Sequence, residues 1–100
     1  MKRTVVRYKT KPEKAEENAR LIEKVFQELR AKSPNDIRYL ALKLADGSFV
    51  HFSIADAEIS PIPKLEAFRA FQLDIKERCV EPPQSSDATI VGNYRMLDQD

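Results

Sequence analysis

Between Ile37 and Asp56 the side chains alternate in character on either side of Ala45-Asp46-Gly47, as two strands of a hairpin do. Two loops suit these turn residues. With Asp46-Gly47 as a two-residue loop, Leu40, Leu42 and Leu44 share a face with Phe49, His51 and Ser53. With Ala45-Asp46-Gly47 as a three-residue loop, and Gly47 left-handed at a bulge, the same leucines join Val50, Phe52 and Ile54. One face is then wholly apolar, and Ile37, Tyr39, Ala41, Lys43, Phe49, His51 and Ser53 form a mixed one. Burial rewards a face that is apolar throughout. The three-residue loop is therefore preferred, and the leucine face is expected against the core.

The flanking segments supply the remaining elements. Thr4 to Thr10 alternates as a strand, with Val6 and Tyr8 on one side and Val5, Arg7 and Lys9 on the other. Pro12 suits a first helical turn, Glu13, Glu16 and Glu17 favour its positive end, and Ala15, Ala19, Ile22, Val25, Phe26 and Leu29 recur at helical spacing to about Lys32. Ser33-Pro34-Asn35-Asp36 ends that helix. After a loop over 57–63, Leu65, Phe68, Phe71, Ile75 and Cys79 predict a second helix to about Val80. Pro82-Pro83 reads as its stop, Gln84 to Asp87 as a polar loop, and Ala88 to Leu97 as the last strand.

The order strand, helix, strand, strand, helix, strand is the ferredoxin-like βαββαβ arrangement of the α+β class, here one domain over 1–100. Right-handed crossovers put both helices on one face of a four-stranded antiparallel sheet with the first and third strands in the middle. The helix-covered face is expected to hold Val6 and Tyr8 with the hairpin's leucine face, including Ile54. The open face is expected to hold Arg7, Tyr39, Phe49 and His51, with Val91 and Asn93 from the last strand, and to be covered by a second copy.

Composition narrows the function classes. Seventeen basic and 16 acidic residues leave a net charge of +1, which gives no field toward nucleic acid or anionic lipid. The RNP pattern of RNA-binding sheets is absent. No apolar run is long enough to span a bilayer, and a cytoplasmic location is expected. One cysteine excludes an internal disulfide and any multi-cysteine metal site, and scattered carboxylates with one histidine give no metal constellation. Cys79 stands among Lys76, Glu77 and Arg78, where cations lower a thiol pKa; its other reading is a small packed hydrophobe.

The opening VVRYKTKPEKAEENARLIEKVFQEL, and SFVHFSIAD followed by PKLEAFRAF, resemble the first strand and helix and the third strand and second helix of the antibiotic biosynthesis monooxygenase-like proteins, of the dimeric α/β barrel group. The resemblance implies a homodimer whose two sheets face each other as an eight-stranded barrel, with an active-site cleft between each sheet and its own helices. Members with known chemistry include cofactor-independent oxygenases of aromatic polyketides or quinols, and haem-degrading enzymes. The latter use an asparagine on strand one, a tryptophan near the end of strand three and a histidine on helix two. This chain has no tryptophan; the corresponding positions fall near Val6 and Ile54, and Leu65 to Val80 contains no histidine. The haem-degrading set does not carry over, and no cofactor is expected.

His51, the single histidine, is the candidate base, with Tyr39, Ser53 and Arg7 expected around it. Its other reading is a hydrogen-bonded interior or interface residue. Tyr8 is the second catalytic candidate, and Tyr8, Ile54, Phe68 and Phe71 are the candidate ligand contacts, each also readable as core. Tyr39, Phe49, His51 and Arg7 are the candidate dimer contacts. Two functions follow: cofactor-independent oxidation of a small apolar or aromatic metabolite, or a non-enzymatic dimeric ligand-binding or assembly module.

Overall fold

The hairpin turns as its sequence dictates. In the computed structural model, which describes residues 1–56 and 60–97, Gly47 takes φ +88°, a conformation that side chains other than hydrogen strain to adopt. The Gly47 N–H donates to the Leu44 carbonyl at 3.1 Å and the Leu44 N–H to the Ser48 carbonyl at 2.7 Å. Asp46 Oδ1 accepts from the Ser48 N–H at 2.9 Å, closing the loop. Strands β2 (Ile37–Lys43) and β3 (Ser48–Ala55) then pair Leu42 with Val50, Leu40 with Phe52 and Arg38 with Ile54. This is the three-residue register.

Strand β1 (Lys2–Thr10) and helix α1 (Ala15–Lys32) precede the hairpin; α2 (Glu66–Gln72), a further helical turn α3 (Ile75–Arg78) and β4 (Cys79–Asp87) follow it. The sheet runs β2-β3-β1-β4, every neighbouring pair antiparallel, so β1 and β3 are central. This is the expected ferredoxin-like α+β fold.

The covered face is the opposite of the one expected. Tyr8, Phe49, Ile22, Val25, Ile62, Leu65 and Phe71 form the core, with Val6, Ile37, Tyr39 and Ala41 packed against it. The mixed face lies under the helices, while Leu40 and Leu42 stay 44 % and 46 % exposed on the open one. Alternation identifies which side chains share a face, not what covers that face. The mixed face can be buried because its polar atoms satisfy one another, and its aromatic rings bring a large apolar area with them.

The C-terminal third also departs from the sequence reading. Asp74, at φ +60°, breaks the second helix into α2 and α3, so it does not run unbroken to Val80. Pro82 and Pro83 lie inside β4. Arg7 pairs with Gln84 and Lys9 with Glu81, which leaves both prolines opposite Tyr8 as a bulge. An edge strand tolerates the pair there because the bulge already interrupts the ladder with β1 and its other side faces no strand. Ala88 to Leu97 is not a strand. It turns back from an Ala88 N–H bond to the Arg3 carbonyl at 3.0 Å, and its residues 90–97 wall hollows over Arg3, Arg38 and Ile54.

One side chain ties the two helical segments together. Glu28 of α1 accepts from the backbone N–H of Ala67 at 2.8 Å and of Glu66 at 3.3 Å, and from Lys32 Nζ at 2.7 Å. It thereby satisfies orphan donors at the start of α2 that no cap on α2 itself serves.

Candidate functional site

His51 lies in the middle of central strand β3, where its direct partners are Val6 on β1 and Ala41 on β2. Both are small enough to leave room above them. Tyr8 pairs with Phe49 and Tyr39 with Ser53, so each tyrosine is a diagonal neighbour of His51, within reach of a long aromatic side chain. Tyr8 Oη lies 2.8 Å from His51 Nε2 and Tyr39 Oη 2.5 Å from His51 Nδ1. Both imidazole nitrogens are engaged.

The chain of contacts continues into the helices. Asn18 Nδ2 donates to Tyr8 Oη at 2.9 Å, and Asn18 Oδ1 accepts from Arg78 Nε at 3.2 Å. Arg78 is 3 % exposed and Asn18 is 0 % exposed. Arg78 also donates from Nη1 to the Leu73 carbonyl at 2.9 Å and from Nη2 to the Phe71 carbonyl at 2.5 Å, and its guanidinium lies 5.4 Å from the Phe71 ring centre. Among the described residues no carboxylate pairs with it. The carbonyls at the C-terminal end of α2 and the face of Phe71 hold the buried cation instead.

Burial sets the protonation states. It pushes the His51 imidazole down to about 4 and both phenols above their ordinary value; at Tyr8 the Asn18 bond and the Arg78 charge work against that rise. At neutral pH the three groups are uncharged, and the permanent charge in the chain is that of Arg78.

These residues open onto a cleft of about 200 Å³ between the sheet and its own helices. Tyr8, Tyr39, His51 and Ser53 form one wall, Phe68, Phe71 and Ile75 the other, and Ile62 and Pro83 close the ends. Larger hollows of about 470 and 590 Å³ lie on the open side of the sheet beneath residues 90–97. The sheet–helix cleft is the candidate site because the buried titratable groups converge there.

Of the sequence candidates, Tyr8, His51, Phe68 and Phe71 meet in this cleft. Ile54 does not: it points to the opposite side of the sheet, under residues 90–97. Tyr39, Phe49 and His51, expected on the open face, lie beneath the helices, because the mixed face is the one covered. Arg7 does face outward, where it donates to Ser48 Oγ at 3.3 Å and lies 3.7 Å from Asp46. Val91 and Asn93 belong to the segment that follows β4 and to no strand. Cys79 is half-buried, and burial pushes its thiol up, with the Arg78 charge opposing; it is the packed reading that fits.

Sequence reasoning missed Asn18 and Arg78. Both carry a signal: Asn18 stands at the spacing of Ala15, Ile22 and Val25, and Arg78 at that of Phe71 and Ile75. A polar residue on a buried stripe needs a buried partner.

No protein-family profile matches the chain, and no curated protein matches it at a significant level. Among solved structures, a proposed antibiotic biosynthesis monooxygenase from Nitrosomonas europaea superposes with a TM-score of 0.74 at 18 % identity, covering 92 % of this chain and 100 % of its own. Rv0793 from Mycobacterium tuberculosis gives 0.73 at 16 % identity, with 91 % and 95 % covered. A proposed antibiotic biosynthesis monooxygenase from Caulobacter crescentus CB15 gives 0.65 at 17 % identity, with 90 % and 89 % covered. The chain thus has the fold of the antibiotic biosynthesis monooxygenase-like proteins, as its strand and helix sequences led one to expect. No helix among the described residues is long and apolar enough to cross a membrane.

Proposed function

We propose that this chain is a single-domain homodimeric protein that binds a small aromatic metabolite bearing a ring oxygen, and oxidises it with dioxygen without a cofactor. The observation that carries the reading is the Arg78-Asn18-Tyr8-His51-Tyr39 chain, buried under the helices and exposed to ligand only through an aromatic-walled cleft. A satisfied polar network can by itself serve to fix a unique core; its opening onto an aromatic-walled cleft is what favours a ligand. Phe68 and Phe71 pack against one side of the ring, the tyrosines and His51 on the opposite wall position its oxygen, and the helices exclude water. For a quinol the balance is one atom of dioxygen inserted at a ring carbon and the other released as water, giving a hydroxyquinone. Solved proteins of this fold described as antibiotic biosynthesis monooxygenases support the reaction class.

The dimer rests on the open face. Leu40, Leu42, Val50 and Phe52 form an apolar surface across β2 and β3 that a second copy covers by symmetry. Light scattering tests the pairing, and a stable monomer at micromolar concentration overturns it. An oxygen electrode with one- and two-ring quinols and phenols tests turnover, with His51→Ala and Tyr8→Phe as controls. Uptake that the controls abolish is expected. Binding without uptake for every compound removes catalysis and leaves a ligand-binding module, a reading favoured by His51 having both nitrogens occupied.

A further inference from the structure

The hydrogen-bond chain has a direction, and its direction selects the ligand. Arg78 only donates, so the Asn18 carbonyl oxygen faces it and the Asn18 amide nitrogen faces Tyr8. Tyr8 Oη therefore accepts from Asn18. Its own proton goes to His51 Nε2: either direction leaves one phenol proton without an acceptor among the described residues, and the reverse one would leave it on Tyr8, which is 2 % exposed, rather than on half-buried Tyr39. A neutral imidazole that accepts at Nε2 carries its proton on Nδ1, and so donates to Tyr39 Oη. The Tyr39 proton then has no acceptor among the described residues, and Tyr39 lines the cleft.

We infer that this one-way chain, anchored on the buried Arg78 cation, ends in a Tyr39 O–H donor built to hold the oxyanion of a one- or two-ring phenol or enol. This rests on the cleft being the ligand site and adds to it the ionic state and size of what binds. Every bond dipole points the same way, so each donor strengthens the next, and the positive end faces the ligand oxygen. The titratable groups acting on Tyr8 are Tyr39 of β2, Cys79 of β4 and Arg78 of α3; none of them is a carboxylate that would repel an anion. A ligand that donates its own O–H to Tyr39 leaves the Tyr39 proton without an acceptor, or else reverses the chain and strands the Tyr8 proton. Size follows from volume: about 200 Å³ exceeds the roughly 150 Å³ of an apolar cavity known to admit one benzene ring. One or two rings fit it.

Two measurements test this. The chain has one histidine, so imidazole nitrogen NMR shifts report its tautomer without ambiguity. The expected wild-type state is protonated at Nδ1 and bare at Nε2. Asn18→Asp places a carboxylate that accepts from both Arg78 and Tyr8, and is expected to move the proton to Nε2. A wild-type imidazole protonated at Nε2 overturns the direction. In the second measurement para-nitrophenol is titrated with the protein and the nitrophenolate absorbance is followed. The anion is expected to bind about tenfold tighter than the neutral phenol, and Tyr39→Phe is expected to lose that preference while still binding naphthalene. If Asn18→Asp fails to fold, the wild-type tautomer and the Tyr39→Phe titration still decide. Binding of para-nitrophenol with unchanged ionisation keeps the cleft and removes the oxyanion assignment. Binding of neither para-nitrophenol nor naphthalene removes the ligand site itself, and the assignment with it.

Discussion

Acid charges His51 in the unfolded chain well before it charges it in the folded one. The ordinary imidazole value is 6.5 and burial lowers it to about 4 in the fold, because an imidazolium beneath the helices loses its hydration. Above 6.5 both states are neutral and His51 adds no pH dependence; as pH falls below it, the unfolded state takes up a proton that the native state refuses. Stability is thus complete above the unfolded value and is lost as pH falls toward the folded one. At about 1.4 kcal/mol per pH unit, the loss reaches about 2 kcal/mol by pH 5 and about 3 kcal/mol by pH 4. The assay is urea unfolding at a series of pH values and one protein concentration, comparing wild type with His51→Gln. The glutamine amide also donates and accepts but does not titrate. Glu28, held below the carboxylate range chiefly by Lys32, and Asp46, held low chiefly by the Ser48 backbone N–H, also lose stability in acid. They do so in both proteins, so the difference isolates His51. Wild type is expected to lose about 2 kcal/mol more than the variant between pH 7 and pH 5. Parallel curves would refute the burial argument.

Three further outcomes follow from the same contacts. Asn18→Leu removes two buried bonds, one of them to a guanidinium, and is expected to cost about 3 kcal/mol; in thermal melts that is a drop of roughly 12–24 °C, and a drop under about 4 °C would mean the chain is not closed as described. Leu42→Lys, on the open face, is expected to yield a folded monomer by light scattering, with the circular dichroism unchanged; a variant with the wild-type mass would move the interface elsewhere. Cys79, whose thiol burial pushes up, is expected to react with iodoacetamide at pH 8 more slowly than an unfolded cysteine, and a faster rate would restore the activated-thiol reading.

The fold was legible because its signals are local. Gly47 after Asp46 imposed the loop, the loop imposed the register, Pro12 opened a 3₁₀ turn over Pro12–Lys14, and the stripe from Ala15 to Leu29 imposed the helix that follows it. The C-terminal third was misread because its local signals conflict with its tertiary setting. Pro82-Pro83 is a stop for a helix and a tolerable bulge for an edge strand, and only the neighbour β1 decides which. Asn18 and Arg78 were overlooked because the stripe reading looked for apolar residues alone. They lie 60 positions apart in sequence and 3.2 Å apart in space.

The covered face matters most for function. An apolar strand face and a mixed one compete for the same helices, and hydrophobic area alone assigns the helices to Leu40, Leu42, Val50 and Phe52. The fold does the reverse, since Tyr8, Tyr39 and His51 satisfy one another and are then capped by Asn18 and Arg78 from the helices. That exchange has two consequences at once. It brings the single histidine into the sheet–helix cleft instead of leaving it on the far side, and it leaves the four apolar side chains outward, with Leu40 and Phe52 along the hollow that residues 90–97 wall and Leu40 and Leu42 exposed. The cleft and the outward apolar surface are therefore not independent features here. A sequence change that filled the polar chain with aliphatic residues would remove the reason for the mixed face to lie inward, and the leucine face would then compete for the helices.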